Sequence, residues 1–379
     1  MVTALPPHRF RELLAEAPPP PLIDTRPATD FDAWHIPGAI NIPTNPDQPL
    51  DREALDAAVP EAAEQVLTVC AWGISSFDVA EQLEELGHPE VAVLSDGMVA
   101  WSKVYDIVDI EVVAGVSIYQ LQRLAKGCLG YLVGCDDTGE AIAIDTPIHL
   151  EAIERTIEAE DLDLVGVVDT HIHADHIAGG PALADEHDVP YYIGTRAIDR
   201  GFEYDHVPLA DGETLDVGEH TLSVCHTPGH TTEMISLVLE DDALIFTADT
   251  LFVDGVGRTE LEETMDPTTQ TRDLYRSLMD VLFERAPDAN ILPGHFDPGG
   301  SELIAPTTPI IATLAEVRDR LEPILTEEDS FVEHVMQAKG ERPPNYRAII
   351  QVNRGRGRPP GREVISQLEL GPNRCAVAG

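Results

Sequence analysis

The most constraining feature of this 379-residue sequence is the stretch VVDTHIHADHIAGG, residues 167–180. It places His171, His173, Asp175 and His176 within six positions, directly after an apolar run that predicts a buried strand. Because alternate residues of an extended segment point the same way, the first two imidazoles can face one point. The stretch therefore predicts a polar site at the end of a strand.

Three further candidate ligands each follow a predicted strand later in the chain. They are His230 in TPGHT, Asp249 in FTADT and His295 in LPGH. Strand ends along one edge of a sheet are where α/β folds build their sites. Nitrogen and oxygen ligands without cysteine suit first-row transition metals. Scattered surface histidines are the alternative, since the chain has 14 histidines, but this ordered pattern favours a metal site.

Apolar runs alternate with helical patterns in two successive units, which predicts an α/β protein of two domains. The first unit, residues 8–108, has short strands around a helix at 75–87 and is expected to form a parallel sheet covered on both faces. The second unit, residues 112–320, begins with a hairpin around CDDTGE and mixes parallel with antiparallel strands. The Pro- and Gly-rich remainder, residues 321–379, is expected to be a partly ordered extension of the second domain.

A second candidate site surrounds Cys70 in VCAWGISS, between a predicted strand and a predicted helix. Backbone N–H groups of such a loop, together with the helix N-terminus, can stabilise a thiolate or the charge of a persulfide. A buried structural cysteine is the alternative interpretation.

The charge of the chain is strongly unbalanced, with Lys+Arg 24 against Asp+Glu 68 and a formal net charge of −44. Because 43% of the residues are hydrophobic, the sequence indicates a folded protein with an acidic coat. At 1 M salt the Debye length is roughly 3 Å, which screens the repulsion within such a coat. We therefore expect a halophilic, salt-rich setting; an ordinary acidic protein is the alternative. Nucleic acids and anionic membranes are excluded as partners.

The cysteines and the apolar segments indicate a cytoplasmic location. The five cysteines form no C-x-x-C pair, which favours reduced thiols. No apolar run has membrane-spanning length, and the N-terminus lacks the apolar core of a signal peptide.

The pattern HIHADH … TPGHT … TADTLF … LPGH resembles the metallo-β-lactamase superfamily, across residues 112 to about 310. That resemblance implies an αββα sandwich with a metal site at one edge. The segments HADHIAGG, ADTLFVDGVGRTEL and RPPNYRAIIQVNRG are similar to those of the persulfide dioxygenases. Glyoxalase II hydrolases instead tend to carry a Gly-Arg run followed by Phe-Glu-Gly. One departure is Ala248, where the family commonly has glycine; we expect that change to be modest.

The resemblance also implies roles for the residues of the second domain. A single Fe(II) would be held by His171, His230 and Asp249, the ligand set of non-haem iron oxygenases, with positions left open for a persulfide and O₂. The remaining polar residues would be outer-shell groups or ligands of a second metal: His173, Asp175, His176 and His295. Arg258, in the Gly-Arg-Thr run, would bind substrate. We expect His226 to be structural, and Cys128 and Cys225 to be small buried hydrophobes.

The first domain resembles a single rhodanese domain, an α/β/α fold with a parallel sheet. The resemblance rests on LIDTRPATDFDAWHIPGAINIP, which contains the strand aspartate Asp24, on the Cys70 loop and on LSDGMVAW. It implies that Cys70 is catalytic and takes up a sulfane sulfur as a cysteine persulfide. Ile74 stands where many active rhodaneses have arginine, and loss of that cation weakens binding of an anionic donor such as thiosulfate.

Together these features predict a persulfide dioxygenase fused to a rhodanese domain, acting in sulfide detoxification. It would oxidise a low-molecular-weight thiol persulfide with O₂ to sulfite, with the thiol unidentified and a homodimer possible. One alternative is a glyoxalase II-like thioester hydrolase with one or two zinc ions. The other is a sulfur-carrier or partner-binding protein that presents the Cys70 persulfide to an acceptor.

Overall fold

The chain forms a parallel N-terminal sheet followed by a sandwich of two larger sheets. The structure, a computed structural model, describes residues 2–44, 51–60, 63–88, 90–239, 242–298, 303–338, 340–356, 361–371 and 374–378. Parts of the predicted tail, residues 339, 357–360, 372–373 and 379, lie outside these ranges. Within them, no helix is both long and apolar enough to cross a membrane.

The N-terminal sheet has five strands, in the order β1-β5-β4-β2-β3, and every neighbouring pair is parallel. Its strands are β1 Thr3–Leu5, β2 Leu22–Asp24, β3 Ile40–Asn41, β4 Gln65–Val69 and β5 Glu90–Leu94. Its helices are α1 Pro7–Leu14, α2 Ala28–Ala33, α3 Arg52–Ala58, α4 Ser75–Glu85 and α5 Gly97–Trp101. Two separate clusters of buried apolar residues contain side chains of these strands, as expected for a sheet covered on both faces. The predicted parallel α/β/α sheet is confirmed.

The second sheet has seven strands, in the order β12-β11-β10-β9-β8-β7-β6. They are β6 Tyr105–Asp109, β7 Val116–Arg123, β8 Cys128–Cys135, β9 Glu140–Ile144, β10 Asp163–Asp169, β11 Tyr191–Gly194 and β12 Val207–Leu209. The helices α6 Glu151–Ala159 and α7 Gly180–His187 connect its parallel strands. The hairpin predicted around CDDTGE is β8–β9. Residues 105–108, which we assigned to the first domain, belong to this sheet because β6 pairs antiparallel with β7.

The third sheet has six strands, in the order β13-β14-β15-β16-β19-β20. They are β13 Thr214–Val217, β14 His220–His226, β15 Ile235–Leu239, β16 Leu244–Ala248, β19 Asn290–Pro293 and β20 Ala312–Thr313. The strands β17 Leu251–Phe252 and β18 Gly255–Gly257 leave this sheet and pair with a C-terminal strand, β21 Ala376–Ala378. The helix α8 Pro267–Arg276 is continued by a π-helical segment, Ser277–Leu282.

Three apolar layers define the sandwich. One cluster joins side chains of β7–β10 to side chains of β13–β16 and so fills the space between the two sheets. A second packs α6, α7 and the C-terminal α11 Tyr346–Asn353 on the outer face of the second sheet. A third packs α8, α9 Leu314–Leu325 and α10 Glu328–Ala338 on the third sheet. The layer order is helix, sheet, sheet, helix, which confirms the predicted αββα fold.

The C-terminal extension is more ordered than its composition suggests. Besides α10 and β21 it contains α11 Tyr346–Asn353 and α12 Arg362–Leu368. Asn353, at the end of α11, donates its amide to the carbonyls of His173 and His176, at 2.9 and 2.8 Å. The extension therefore packs directly against the histidine-rich loop.

Candidate metal centre and cysteine loop

Three of the predicted ligands meet at one buried point at the strand ends of the sandwich. His171 follows β10, His230 lies in the loop between β14 and β15, and Asp249 directly follows β16. Asp249 Oδ2 lies 3.9 Å from His171 Nε2 and 3.5 Å from His230 Nε2. One ligand atom from each residue lies within 4.8 Å of the other two. This spacing allows one metal ion to contact two imidazoles and one carboxylate.

Hydrogen bonds orient both imidazoles so that Nε2 faces this point. Nδ1 of His171 donates to Thr170 Oγ1 at 3.0 Å, and that hydroxyl donates to Asp145. Nδ1 of His230 donates to the carbonyl of Arg258 at 2.7 Å. The two Nε2 atoms and Asp249 Oδ2 are buried and have no hydrogen-bond partner. Buried polar atoms are rarely left unpaired, and a bound metal ion would satisfy all three.

The pKa directions agree with neutral imidazoles at this point. Burial lowers the pKa of His171 well below its usual value, and the charges of His173 and His230 lower it further. Burial also lowers the pKa of His230 and outweighs the attraction of Asp249. A metal ligand must be deprotonated, so both groups are in the form that binds metal.

A second group of polar residues next to this point is internally hydrogen-bonded. His295 contacts Asp249 Oδ1 through Nδ1 at 2.6 Å and Asp175 Oδ2 through Nε2 at 3.0 Å. His176 Nδ1 lies 3.2 Å from Asp175 Oδ1. Both ring nitrogens of His295 are therefore occupied by carboxylates. This arrangement holds Asp249 in place through its other oxygen.

The same group is charged. Burial opposes protonation of His176, but the Asp175 carboxylate outweighs it and raises the pKa to about 10. The carboxylates of Asp249 and Asp175 likewise outweigh burial and raise the pKa of His295 well above its usual value. Burial raises the pKa of Asp175, but these two imidazoliums hold it well below its usual range.

His173 has a different neighbour. Its Nε2 lies 3.2 Å from Asp145 Oδ1, without hydrogen-bond geometry, and its ring is 4.1 Å from that of His171, centre to centre. It forms a separate candidate group with Asp145 and His171. All seven residues predicted for the metal site thus lie in one buried cluster. Within it, His171, His230 and Asp249 share unpaired atoms, Asp175, His176 and His295 are hydrogen-bonded to carboxylates or imidazoles, and His173 lies beside Asp145.

Two cysteines of this cluster were not predicted to be there. We expected Cys128 to be a small buried hydrophobe; it is buried, but its thiol donates to Asp175 Oδ2 at 3.1 Å. Cys375, just before β21, lies within 4.8 Å of Asp249 and His295. Neither has a local sequence signal, because Cys128 is 47 residues from Asp175 and Cys375 comes from the far end of the chain.

The guanidinium of Arg258 does not join this cluster. It pairs with the Glu260 carboxylate and donates to three carbonyls of the C-terminal extension, those of Gly340, Glu341 and Arg374. In the structure Arg258 therefore anchors the extension with its side chain and orients His230 with its carbonyl. Direct substrate binding by Arg258 stays a prediction.

The backbone beside Asp249 is tightly constrained. Ala248 adopts a left-handed conformation, φ 47°, which favours glycine and which alanine adopts only with strain. Alanine at this position therefore causes more backbone strain than we expected. Gly294 passes so close that a Cβ atom there would lie 2.4 Å from Asp249 Oδ1.

The cysteine loop lies in the N-terminal domain. Cys70 directly follows β4 and is only 3% exposed, and Ser76 Oγ at the start of α4 donates to its sulfur at 3.3 Å. Gly97 fits against the loop because a Cβ atom there would lie 2.1 Å from the Cys70 carbonyl oxygen. Burial raises the pKa of the thiol, but the hydroxyls of Ser75 and Ser76 and the backbone of Ser76 and Trp72 outweigh it, and the net pKa is lowered. The loop therefore favours a thiolate.

The rim of this loop is apolar. Trp72 is 53% exposed and Ile74 is 76% exposed. Residues 70–78 contain no lysine or arginine, and Asp96, which packs against Gly73, is exposed. An anionic donor would find no cation in this loop.

Three other predicted residues have structural contacts. Asp24 forms a buried ion pair with Arg26. His226 Nε2 contacts the carbonyl of Thr232 at 2.9 Å. Cys225 is buried, with Arg285 Nη2 3.1 Å from its sulfur.

Comparison with known families divides the chain in the same way. Residues 6–104 match the rhodanese-like domain family, and residues 125–295 match the metallo-β-lactamase superfamily. An uncharacterized protein of Aquifex aeolicus is 32% identical over 199 residues, which are 48% of this chain and 90% of that protein.

Two of the matched relatives are enzymes of different activity. The human mitochondrial persulfide dioxygenase ETHE1 is 31% identical over 166 residues, 44% of this chain and 62% of that protein. A hydroxyacylglutathione hydrolase of Rhodopseudomonas palustris is 36% identical over 129 residues, 34% of this chain and 50% of that protein. The chain thus spans less than two thirds of either relative.

The solved structure of ETHE1 from Myxococcus xanthus is similar to this fold. Its TM-score is 0.54 and its sequence identity is 29%, and the match covers 62% of this chain and 97% of that chain.

Proposed function

The chain belongs to the metallo-β-lactamase superfamily and carries a rhodanese-like domain ahead of that domain, and we propose that it is a persulfide dioxygenase coupled to sulfur transfer. The substrates would be a low-molecular-weight thiol persulfide, O₂ and water. The products would be the free thiol and sulfite, with the terminal sulfur of the persulfide oxidised by O₂. This reaction would serve sulfide detoxification.

One observation carries the proposal: the unpaired buried atoms grouped around Asp249 Oδ2 belong to two histidines and one carboxylate, whereas the unpaired ring of His173 lies beside Asp145. His171 Nε2, His230 Nε2 and Asp249 Oδ2 lack partners, whereas both nitrogens of His295 are already bonded to carboxylates. A mononuclear site uses the first three atoms and leaves the His295 pairs intact. A binuclear site would have to break those pairs. The donor set suits non-haem iron.

When bound there, ferrous iron would supply the redox chemistry that O₂ requires. The ligands and their hydrogen-bond partners would hold the iron in place. Asp145, through Thr170, and the Arg258 carbonyl hold the two imidazoles, and His295 holds Asp249. The cluster is almost fully buried, which limits access of bulk water.

The N-terminal domain would move sulfur through Cys70. Its thiolate would attack the terminal sulfur of a thiol persulfide, breaking the S–S bond and releasing the thiol as leaving group. Sulfite would then take the sulfur from the Cys70 persulfide, giving thiosulfate and restoring the thiolate. The lowered pKa of Cys70 supports this role.

A zinc thioester hydrolase is the second candidate. The match to a hydroxyacylglutathione hydrolase favours it, and so does a group that offers four ligand atoms, formed by Cys128, Asp175, His176 and His295. It would use a metal-bound hydroxide on an acyl-thiol.

Metal analysis separates the two functions. Protein purified anaerobically in high salt should contain about one iron per chain, and Asp249→Ala should lose it. Glu158→Gln, which changes an exposed side chain of α6, is the matched control and should retain it. Two zinc ions per chain, or iron content unaffected by Asp249→Ala, would contradict the proposal.

A further inference from the structure

A group of charged residues, three of them buried, contacts the histidine-rich loop through the N–H of Ile172. We call it the Glu233 cluster; its members are Arg200, Glu233, Glu262 and Arg354. Glu233 lies three positions after His230 and is fully buried. Its Oε1 accepts the N–H of Ile172 at 2.8 Å and is also paired with Arg200 Nη1.

The Glu233 cluster connects three loops that carry or orient predicted metal ligands. Ile172 belongs to the loop after β10, between the first two motif histidines. Arg200 Nε lies 3.5 Å from Glu262 Oε2, and Glu262 accepts the N–H of Thr232 at 3.0 Å and its hydroxyl at 3.1 Å. Thr232 follows His230, and Glu262 lies on the loop that begins with Arg258. A shift in any one of these loops therefore strains the other two.

Three members of the cluster are buried charges, Arg200, Glu233 and Glu262. Burial and the like charges of Arg200 and Arg356 lower the pKa of the partly buried Arg354, while Glu233 and Glu262 act in the opposite direction. Removing Arg200 leaves two buried carboxylates without their counterion, so the cluster resists rearrangement.

The loop around His171 is held at separate points. The N–H of Thr170 donates to Asp145 at 2.8 Å, and the carbonyl of Thr170 accepts from Ile235 at 3.1 Å. Glu233 holds the next peptide, at the N–H of Ile172. The peptides on both sides of His171 are therefore fixed, and with them the direction in which its imidazole leaves the backbone.

We propose that Glu233 is a positioning residue of the metal site: its carboxylate, held by Arg200, fixes the Ile172 peptide and thereby aims His171 Nε2 at the position shared with His230 and Asp249. This inference rests on the proposed metal ligation by His171. It predicts that Glu233 controls metal affinity and ligand geometry although it does not contact the metal. Partners that orient ligands change affinity by roughly 10–100-fold when removed.

Two substitutions separate the hydrogen bond from the charge. Glu233→Gln keeps an oxygen that can accept the Ile172 N–H but removes the charge that pairs with Arg200. Glu233→Ala removes both. Glu263→Gln is the matched control. Glu263 is next to Glu262 in sequence and forms an exposed ion pair with Arg347 of α11, so its substitution removes a glutamate charge and leaves Ile172 untouched.

Retention of Co²⁺ and Fe²⁺ against a chelator is measured for each variant, together with the visible absorption spectrum of the Co²⁺ form. We expect Glu233→Ala to release metal about tenfold more readily and to shift the Co²⁺ bands. Glu233→Gln should stay near the wild type in both measurements while unfolding at a lower temperature. The Glu263→Gln control should match the wild type in metal retention and spectrum.

A folded Glu233→Ala protein with wild-type retention and spectrum would overturn the inference. If that variant does not fold, Glu233→Asp replaces it: it preserves the charge balance but is one methylene too short to reach both partners. It should fold and still release Co²⁺ more readily; wild-type retention would overturn the inference equally. Failure of the wild type to bind Fe²⁺ while Co²⁺ retention still depends on Glu233 would contradict the proposed function alone.

Discussion

Asp249 uses its two carboxylate oxygens for different purposes. Oδ1 accepts from His295, and Oδ2 faces the unpaired nitrogens of His171 and His230. The residue types of this site could be predicted because the motif spacing is local. Their division into unpaired and hydrogen-bonded groups could not, since His295 is 120 residues from Asp175 and 46 from Asp249.

Ala248→Gly should stabilise the protein. At φ 47° an alanine is strained by about 1–2 kcal/mol, which exceeds the entropy that glycine gains in the unfolded chain. We expect the free energy of unfolding to rise by about 0.5–1 kcal/mol in denaturant titrations. A decrease would mean that the methyl group packs favourably enough to offset the strain.

Ile74→Arg should restore binding of an anionic sulfur donor at Cys70. A cation on the exposed rim attracts thiosulfate, so the KM of the variant for thiosulfate should fall about tenfold at low salt. The KM should change less at high salt, because salt screens the interaction. Ile74→Gln is the neutral control and should leave the KM unchanged. Equal KM values for the arginine variant and the wild type would show that the rim does not select the donor.

At the scale of elements, the C-terminal extension completes the structure around the metal site. Glu369, after α12, accepts from Arg123 Nη2 at 2.9 Å and from the N–H of Ile177 at 2.7 Å. Lys126 Nζ donates to the carbonyls of Asp175 and Glu369 at 2.7 and 3.0 Å. Strand β10 could be predicted because its apolar run precedes the histidine motif and is bounded by aspartates. The order of the extension could not, because its partners lie about 190–250 residues away in sequence.

Glu369→Gln should destabilise the protein in a pH-dependent way. Burial raises the pKa of Glu369, but the charges of Arg123, His149 and Lys126 outweigh it and hold it well below the usual value. The stabilisation is therefore present above the unfolded-state pKa of about 4.3 and is lost as pH falls below it.

We expect a loss of about 3–5 kcal/mol at neutral pH, because Arg123 is left buried without its counterion. The difference from the wild type should shrink in denaturant titrations below about pH 4. Glu158→Gln serves as the exposed control. If the variant and the wild type differ in free energy of unfolding by the same amount at neutral pH and at acidic pH, the charge of Glu369 is not the cause.

At the scale of the whole molecule, the two domains share a buried interface. Arg11 pairs with Asp106 at 2.7 Å, and the Trp34 indole donates to the carbonyl of Ala125 at 2.6 Å. Cys128, three residues after Ala125, contacts Asp175. The interface and the metal cluster are thus joined by one short segment.

The net charge of −44 predicts a stability that rises with salt. Going from about 0.1 M to 1 M KCl shortens the Debye length from roughly 10 Å to 3 Å and screens repulsion between surface carboxylates. The midpoint of thermal unfolding should therefore increase over this range, and sucrose at equal osmolality should have a smaller effect. A midpoint that falls with KCl would contradict a halophilic setting.

Oxygen consumption is the decisive measurement for the proposed persulfide dioxygenase. Iron-loaded protein given a thiol persulfide in high salt should consume O₂ in an amount equal to the sum of the sulfite and thiosulfate formed. Asp249→Ala should neither consume O₂ nor form these products, and Cys70→Ser should retain the uptake and form sulfite alone. Oxygen consumption by the wild type no greater than that of Asp249→Ala would contradict the account.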